Sequence, residues 1–180
     1  MTAYKSEKLI VYKQCLAELL EQCSRCRHCC SLKWTVKGTF VSVLQHCQSC
    51  DHKHRWASQP MVKDLPEGNL LLSASILFSG ASFAKVSRVF SAMNISSISQ
   101  STFYDHNKKL LQPTIISLWN DTQKQLLDWL SQRPGEIVLG GDMRADSPGH
   151  SAKFGSYTVM ELRSNRVLHI SLVQVRRLTS

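Results

Sequence analysis

The sequence predicts a mixed α+β chain made of small modules, and three observations carry that prediction. Paired cysteines bracket two alternating apolar runs near the amino-terminus, helical periodicity fills the middle, and β-branched runs separated by turn residues occupy residues 135–180. With 180 residues, 43% of them hydrophobic, and ordinary charge density, the chain has the means to fold. A formal net charge of +9 favours polyanionic partners, nucleic acid before membrane.

No secretory leader is visible: Lys5, Lys8 and Lys13 interrupt the first twenty residues, so an intracellular chain is expected. The longest apolar run, Leu70 to Phe78, is too short to span a bilayer. Seven cysteines in a reducing compartment point to metal ligation rather than disulfides.

Ile10, Val11, Cys15, Leu16, Leu19 and Leu20 recur at helical spacing, which predicts an amphipathic helix over residues 6–22, within a first segment of residues 1–22. Residues 23–57 form the next module. Cys26-Arg-His-Cys29 and Cys47-Gln-Ser-Cys50 are two CxxC pairs with seventeen residues between them, the spacing of a zinc ribbon. Four thiolates at about 2.3 Å give the closed tetrahedral site of a structural Zn²⁺. Between the pairs, Leu32, Trp34 and Val36 alternate, Lys37-Gly38 turns the chain, and Phe40 to Leu44 runs back as a second strand. The first pair has more than one possible register, because Cys23-Ser-Arg-Cys26 is also a CxxC and Cys30 adjoins Cys29. His46, His52 and His54 are further candidates for ligation. Arg25, Arg27, Lys33, Lys37, Lys53 and Arg55 face one acid, Asp51, making this the most basic segment and a candidate phosphate-contacting surface.

Residues 58–134 read as a helical region. Ser58 to Gly68, with Pro60 and Pro66, is a connector; Gly68 to Phe78 is a short buried helix ended by Ser79-Gly80. Ser82 can cap a helix reaching Met93, and Ser99 a third carrying Phe103 and Tyr104. Two helices across a short polar turn have a helix-turn-helix outline. Gln100, Ser101, Thr102, Tyr104 and His106, followed by Lys108 and Lys109, are its candidate DNA contacts. Pro113 is expected to kink or restart a helix that continues to Arg133-Pro134-Gly135. In residues 135–180, the run Ile137-Val138-Leu139 leads through Gly140-Gly141 to Asp142. Two further strands, Tyr157 to Leu162 and Val167 to Val173, follow. A strand delivering a carboxylate, then antiparallel strands, has the pattern of the opening of an RNase H-like sheet. Such sites gather carboxylates around divalent metals.

GDMRADSPGHSAKFGSYT at Gly141 to Thr158, WASQP at Trp56 to Pro60, GNLLLSASILFSG at Gly68 to Gly80 and the pair Cys47 and Cys50 resemble transposases of animal cut-and-paste DNA transposons, the Kolobok-like group. The resemblance covers residues 26–174. It implies Asp142 as the first catalytic acid; Asp146, four residues later in the loop, is the next candidate, and His150, Lys153 and Tyr157 are candidates to approach phosphate, their geometry not fixed by the sequence. It also implies DNA as partner and a nuclear location. An active site of that class needs further acids beyond the third strand, so the expectation is an amino-terminal fragment with an incomplete catalytic domain. Such a fragment binds zinc and DNA without cleaving strands, and needs Mg²⁺ or Mn²⁺ only where a full-length relative or a second copy completes the site. A domesticated zinc-binding interaction protein is the alternative.

Overall fold

The computed structural model describes residues 5–147 and 152–174, and the chain divides into two compact units, Met1–Gln112 and Pro113–Ser180. Both mix helices with small antiparallel sheets.

The first unit opens with α1 (Lys13–Leu20), shorter than the 6–22 expected. Leu9, Ile10, Val11 and Tyr12 precede it as exposed, non-helical chain. Periodicity alone placed them on a helix, but they gain no burial to offset the cost of ordering it. Strands β1 (Cys30–Lys37), β2 (Phe40–Cys47) and β3 (Lys53–Ala57) form a meander in the order β1-β2-β3. The first hairpin turns at Lys37-Gly38, as expected, with Gly38 at φ +62°. Strand β3 was not anticipated, because Lys53-His-Arg-Trp-Ala has a polar outer face and a single large apolar residue.

In antiparallel sheets, directly opposed residues share a face. On one face Trp34, Val43 and Trp56 form a row across the three strands, and Val43 is fully buried. Next to it Gln45 is buried too, its Nε2 donating to the carbonyls of Leu20 (2.6 Å) and Gln22 (2.9 Å), which ties the end of α1 to the sheet. The Lys13 ammonium lies 5.2 Å from the Trp34 ring centroid.

The connector is not structureless: β4 (Met61–Val62) and β5 (Leu65–Pro66) make a two-residue ladder. Then come α2 (Glu67–Phe78), α3 (Phe83–Ala92) and α4 (Gln100–His106). Ser99 caps α4 through its Oγ, which accepts from the Thr102 N–H at 3.2 Å, satisfying an otherwise orphan donor. Ser82 occupies the corresponding position before α3 without a side-chain cap bond. Ile76, Ile98 and Phe103 form the buried core, flanked by Leu72, Phe83 and Val86, with the Phe83 and Phe103 rings stacked 4.9 Å apart.

Asn69 joins sheet and helices. Its Nδ2 donates to the Lys37 carbonyl (2.8 Å), while Oδ1 accepts from the Thr39 N–H (2.7 Å) and hydroxyl (2.8 Å). Gln59 donates to the Thr39 hydroxyl and accepts the Gly68 N–H. The WASQP and GN stretches are thus the two halves of one hydrogen-bonded seam.

A π-helical stretch, Asn107–Leu111, precedes α5 (Gln112–Ser131). The Pro113 ring would crowd the carbonyl four residues back in an α-helix. The wider π turn, in which Gln112 N–H donates to the Asn107 carbonyl, relieves that crowding. The helical run therefore passes Pro113 without stopping.

In the second unit, α5 packs on a meander of β6 (Leu139–Ala145), β7 (Phe154–Glu161) and β8 (Arg166–Gln174). Leu126, Leu130 and Leu168 are its buried cluster, and Gln123 Nε2 donates to the Leu168 carbonyl at 2.7 Å. Buried Glu161 organises the β7–β8 turn by accepting the N–H groups of Arg163 (3.1 Å) and Ser164 (2.7 Å). The Ser164 hydroxyl beside it and these N–H groups hold its carboxyl below the usual range, against the opposing effect of burial. Apolar side chains of this sheet stand exposed, among them Leu139, Met143, Phe154 and Leu172. Residues 175–180 lie outside the described residues.

Candidate metal centre and nucleic-acid interface

Two six-residue loops build the centre. The first, Cys23 to His28, is closed by the bridge between Gln22 and Cys29; the second, Cys47 to His52, by the β2–β3 pair His46 and Lys53. The two loops repeat each other in detail. In each, the first cysteine N–H donates at 2.9 Å to the carbonyl of the histidine five residues on, His28 or His52. In each, the residue after the second cysteine has positive φ, Arg27 at 62° and Asp51 at 51°. Side chains with a Cβ rarely take that conformation. Here it aims the N–H of the next residue, His28 or His52, at the sulfur of the second cysteine, while in the first loop the Arg25 N–H donates to Cys23 Sγ at 3.4 Å.

The loops bring Cys23, Cys26, Cys47 and Cys50 together, all four Sγ atoms within 4.8 Å of one another. Cys23 Sγ is 3.7 Å from Cys50 Sγ, and Cys26 Sγ is 3.4 Å from both Cys47 and Cys50. Ligands at about 2.3 Å from a tetrahedral centre lie about 3.8 Å apart, so the donor set fits a closed Zn–thiolate site. These four cysteines could hold a metal ion such as zinc.

The expected register of Cys26 and Cys29 is therefore corrected by one ligand. Cys29 is exposed and belongs to the bridge that closes the first loop, the place Lys53 has in the second loop. Cys30 is opposite Cys47 in the β1–β2 register; burial, then the nearby Cys47 and Cys23, push its thiol up to about 11. The signal that distinguishes the registers is in the sequence: Cys23-Ser-Arg-Cys26-Arg-His28 and Cys47-Gln-Ser-Cys50-Asp-His52 are copies of CxxCxH, and only the 23/26 register repeats it.

The thiols titrate unequally. The backbone N–H groups of Cys26 and Arg25 lower Cys23 to about 6. Burial works to raise Cys47, but the N–H of Cys50 and the Cys26 thiol outweigh it and its pKa falls. For Cys26 the His28 N–H is a lowering influence, overcome by the Cys47 and Cys50 thiols, which push it up to about 12. The first cysteine of each loop is thus the more acidic partner. The imidazoles stay outside the cluster: His46 Nε2 lies 2.6 Å from Asp51 Oδ1, and that contact, with Lys53, lowers the Asp51 carboxyl.

The cations gather on the other face of the sheet. Opposed positions there run Ser31–His46–Lys53, Lys33–Leu44–Arg55 and Thr35–Ser42–Ala57, with Lys37 at the hairpin end. Lys33, Lys37, Lys53 and Arg55 are all exposed on it, and Arg25 and Arg27 are exposed in the first loop. Lys53 Nζ is 3.7 Å from Asp51 Oδ1.

On α4, Gln100 and Tyr104 are exposed, while Thr102 is half-buried with its hydroxyl 2.9 Å from Ser99 Oγ. His106 is not available as a contact. It is buried, its Nδ1 2.9 Å from Ser73 Oγ, and desolvation lowers its pKa against the raising influences of Asp105 and the Asn69 carbonyl. Lys108 and Lys109 are exposed on the π turn, with Lys109 Nζ 3.0 Å from Asp105.

Asp142 does not follow its strand but sits in the middle of β6, opposite Thr158, exposed, with Oδ1 accepting the Met143 N–H at 2.8 Å. The strand starts at Leu139, so Ile137 and Val138 lead into it. Gly140 and Gly141 have packing reasons: a Cβ on Gly140 would meet Leu162 Cδ2 at 2.8 Å, and one on Gly141 would run into the Tyr157 hydroxyl. Asp146 lies past the strand end, where it accepts the Lys153 N–H at 3.0 Å. Burial acts to raise its carboxyl, but N–H groups of Phe154 and Lys153 bring it down. Four residues of strand separate the two aspartates by about 13 Å. Neither joins a cluster of three or more potential ligands among the described residues. His150 lies outside those residues. Compared with known proteins, the chain matches no family model, no curated protein and no solved structure.

Proposed function

We propose that this chain is a zinc-dependent DNA-binding protein of transposase-derived type, acting in the nucleus and without strand-cleavage activity by itself. Cys23, Cys26, Cys47 and Cys50 would hold the zinc of a ribbon whose strands are β1, β2 and β3. Zinc bound by four thiolates has no open position and supplies folding energy rather than catalysis. The observation that carries the reading is the pairing of this centre with a sheet whose outer face bears Lys33, Lys37, Lys53 and Arg55. Such a face neutralises phosphates and gives affinity without base specificity, while the exposed Gln100 and Tyr104 of α4 supply groups suited to base edges.

A second reading rests on a separate observation. The β6-β7-β8 meander with Asp142 on its first strand supports an RNase H-like origin for the second unit. In that reading Mg²⁺ or Mn²⁺ would be bound by Asp142 together with acids from a second copy or a fuller relative.

Titration of the zinc-loaded chain with a fluorescent DNA duplex tests the first reading. Four phosphate contacts give a slope of log K against log salt of about −3.6. Removal of zinc by a chelator should abolish binding. Binding that persists without zinc, or that ignores salt, overturns the proposal.

A further inference from the structure

We infer that the metal-centred sheet and helix α4 form one composite surface for duplex DNA, held in register by Asn69; the inference rests on the DNA-binding reading above. The sheet alone would be a cationic face, and α4 alone a short exposed helix. Their connection consists of specific contacts.

The β1–β2 turn carries Lys37, the last cation of the basic face, and it is anchored at three atoms. The Lys37 carbonyl oxygen accepts from Asn69 Nδ2, and Thr39 donates both its N–H and its hydroxyl to Asn69 Oδ1. Asn69 itself is only 6% exposed, so these bonds are shielded from water. Gly38, between them, approaches so closely that a Cβ there would stand 2.6 Å from Asn69 Oδ1 and 2.8 Å from Ile98 Cγ2. Ile98 immediately precedes Ser99, the cap of α4. The cationic end of the sheet and the first turn of α4 are therefore neighbours. One turn further along α2, buried Ser73 meets His106 at the far end of α4, so both ends of that helix are fixed to the element that holds the hairpin.

A sheet face with regularly spaced cations and no exposed aromatic ring in its rows fits phosphates rather than unstacked bases. A short helix beside it, with Gln100 and Tyr104 outward, has the dimensions for a major groove. Duplex DNA satisfies both parts at once, with the sheet on the backbone next to the groove that α4 enters. Asn69 is a positioning residue in this arrangement.

Site-specific photocrosslinking tests it in the zinc-loaded full chain. A benzophenone amino acid replaces Lys33 in one variant and Gln100 in another; both positions are exposed. With a 20-base-pair duplex labelled on each strand, both should crosslink, at nucleotides within about one helical turn (10 base pairs) of each other. In Asn69→Ala, checked for retained zinc, the Lys33 crosslink should persist while the Gln100 crosslink disperses or is lost. Crosslinking from Lys33 alone, or at unrelated positions, overturns the composite surface and leaves the DNA-binding reading intact. Stronger crosslinking to single-stranded RNA of the same sequence than to the duplex overturns the composite surface and the DNA-binding reading together, since it means a different partner. Failure of the wild-type chain to bind the duplex removes both.

Discussion

Cys23→Ser and Cys29→Ser separate the two possible registers of the metal centre. Cys23 is 1% exposed and its Sγ lies 3.7 Å from Cys50 Sγ, within the tetrad; Cys29 is exposed and outside it. The binding free energy of a four-ligand structural zinc site, shared over its ligands, corresponds to roughly 100- to 1,000-fold in affinity per thiolate. Cys23→Ser also breaks the Arg25 N–H contact to sulfur and disturbs the loop that holds Cys26, so the upper part of that range is expected. Cys29→Ser should leave affinity within about twofold, since only a solvent-facing side chain changes. Competition against a chromophoric chelator at pH 7 measures both variants on one scale. A Cys29→Ser variant that loses zinc as severely as Cys23→Ser would falsify the assignment and return the first pair to Cys26 and Cys29.

Asn69→Ala leaves the Thr39 N–H and the Lys37 carbonyl without their partner in a buried site. A loss of about 3 kcal/mol is expected in urea unfolding of the zinc-loaded protein, and a loss below about 1 kcal/mol would mean that water replaces the amide there. Gly38→Ala combines a positive-φ backbone with collision against Asn69 Oδ1 and Ile98 Cγ2, and should cost about 2–4 kcal/mol by the same measurement. His106 has a pKa below its ordinary 6.5 because burial disfavours its charged form. The unfolded chain then binds the extra proton first, so stability rises with pH through the window below about 6.5 and is lost on acidification. Titrating the unfolding midpoint from pH 7 to pH 5 should show that loss, and His106→Gln should flatten it.

The elements that the sequence determined by itself are those with a local cause. The hairpin turn at Lys37-Gly38 follows from a residue able to take positive φ between two alternating runs, and the Ser99 cap from a hydroxyl placed three residues before a free N–H. The α2 helix and the three-strand pattern around Asp142 were likewise legible from run length and spacing. The identity of the metal ligands was half legible: Cys47 and Cys50 follow from spacing, whereas four cysteines in eight positions offered several first pairs. What separates them is the CxxCxH repeat, legible only when the two loops are compared: the Gln22–Cys29 bridge closes the first loop as His46–Lys53 closes the second, which leaves Cys29 outside the cluster.

Tertiary structure alone decided three other features. Leu9 to Tyr12 have helical spacing but no surface to pack on, so the helix begins after them. Strand β3 has little β-branched character and exists because β2 offers it a free edge on which Trp56 stands opposite Val43. His106 looked like a DNA contact on a helix outline, and became a buried partner of Ser73 because α4 turns that face toward α2. In each case the deciding term is burial against a partner distant in sequence, which no local pattern records.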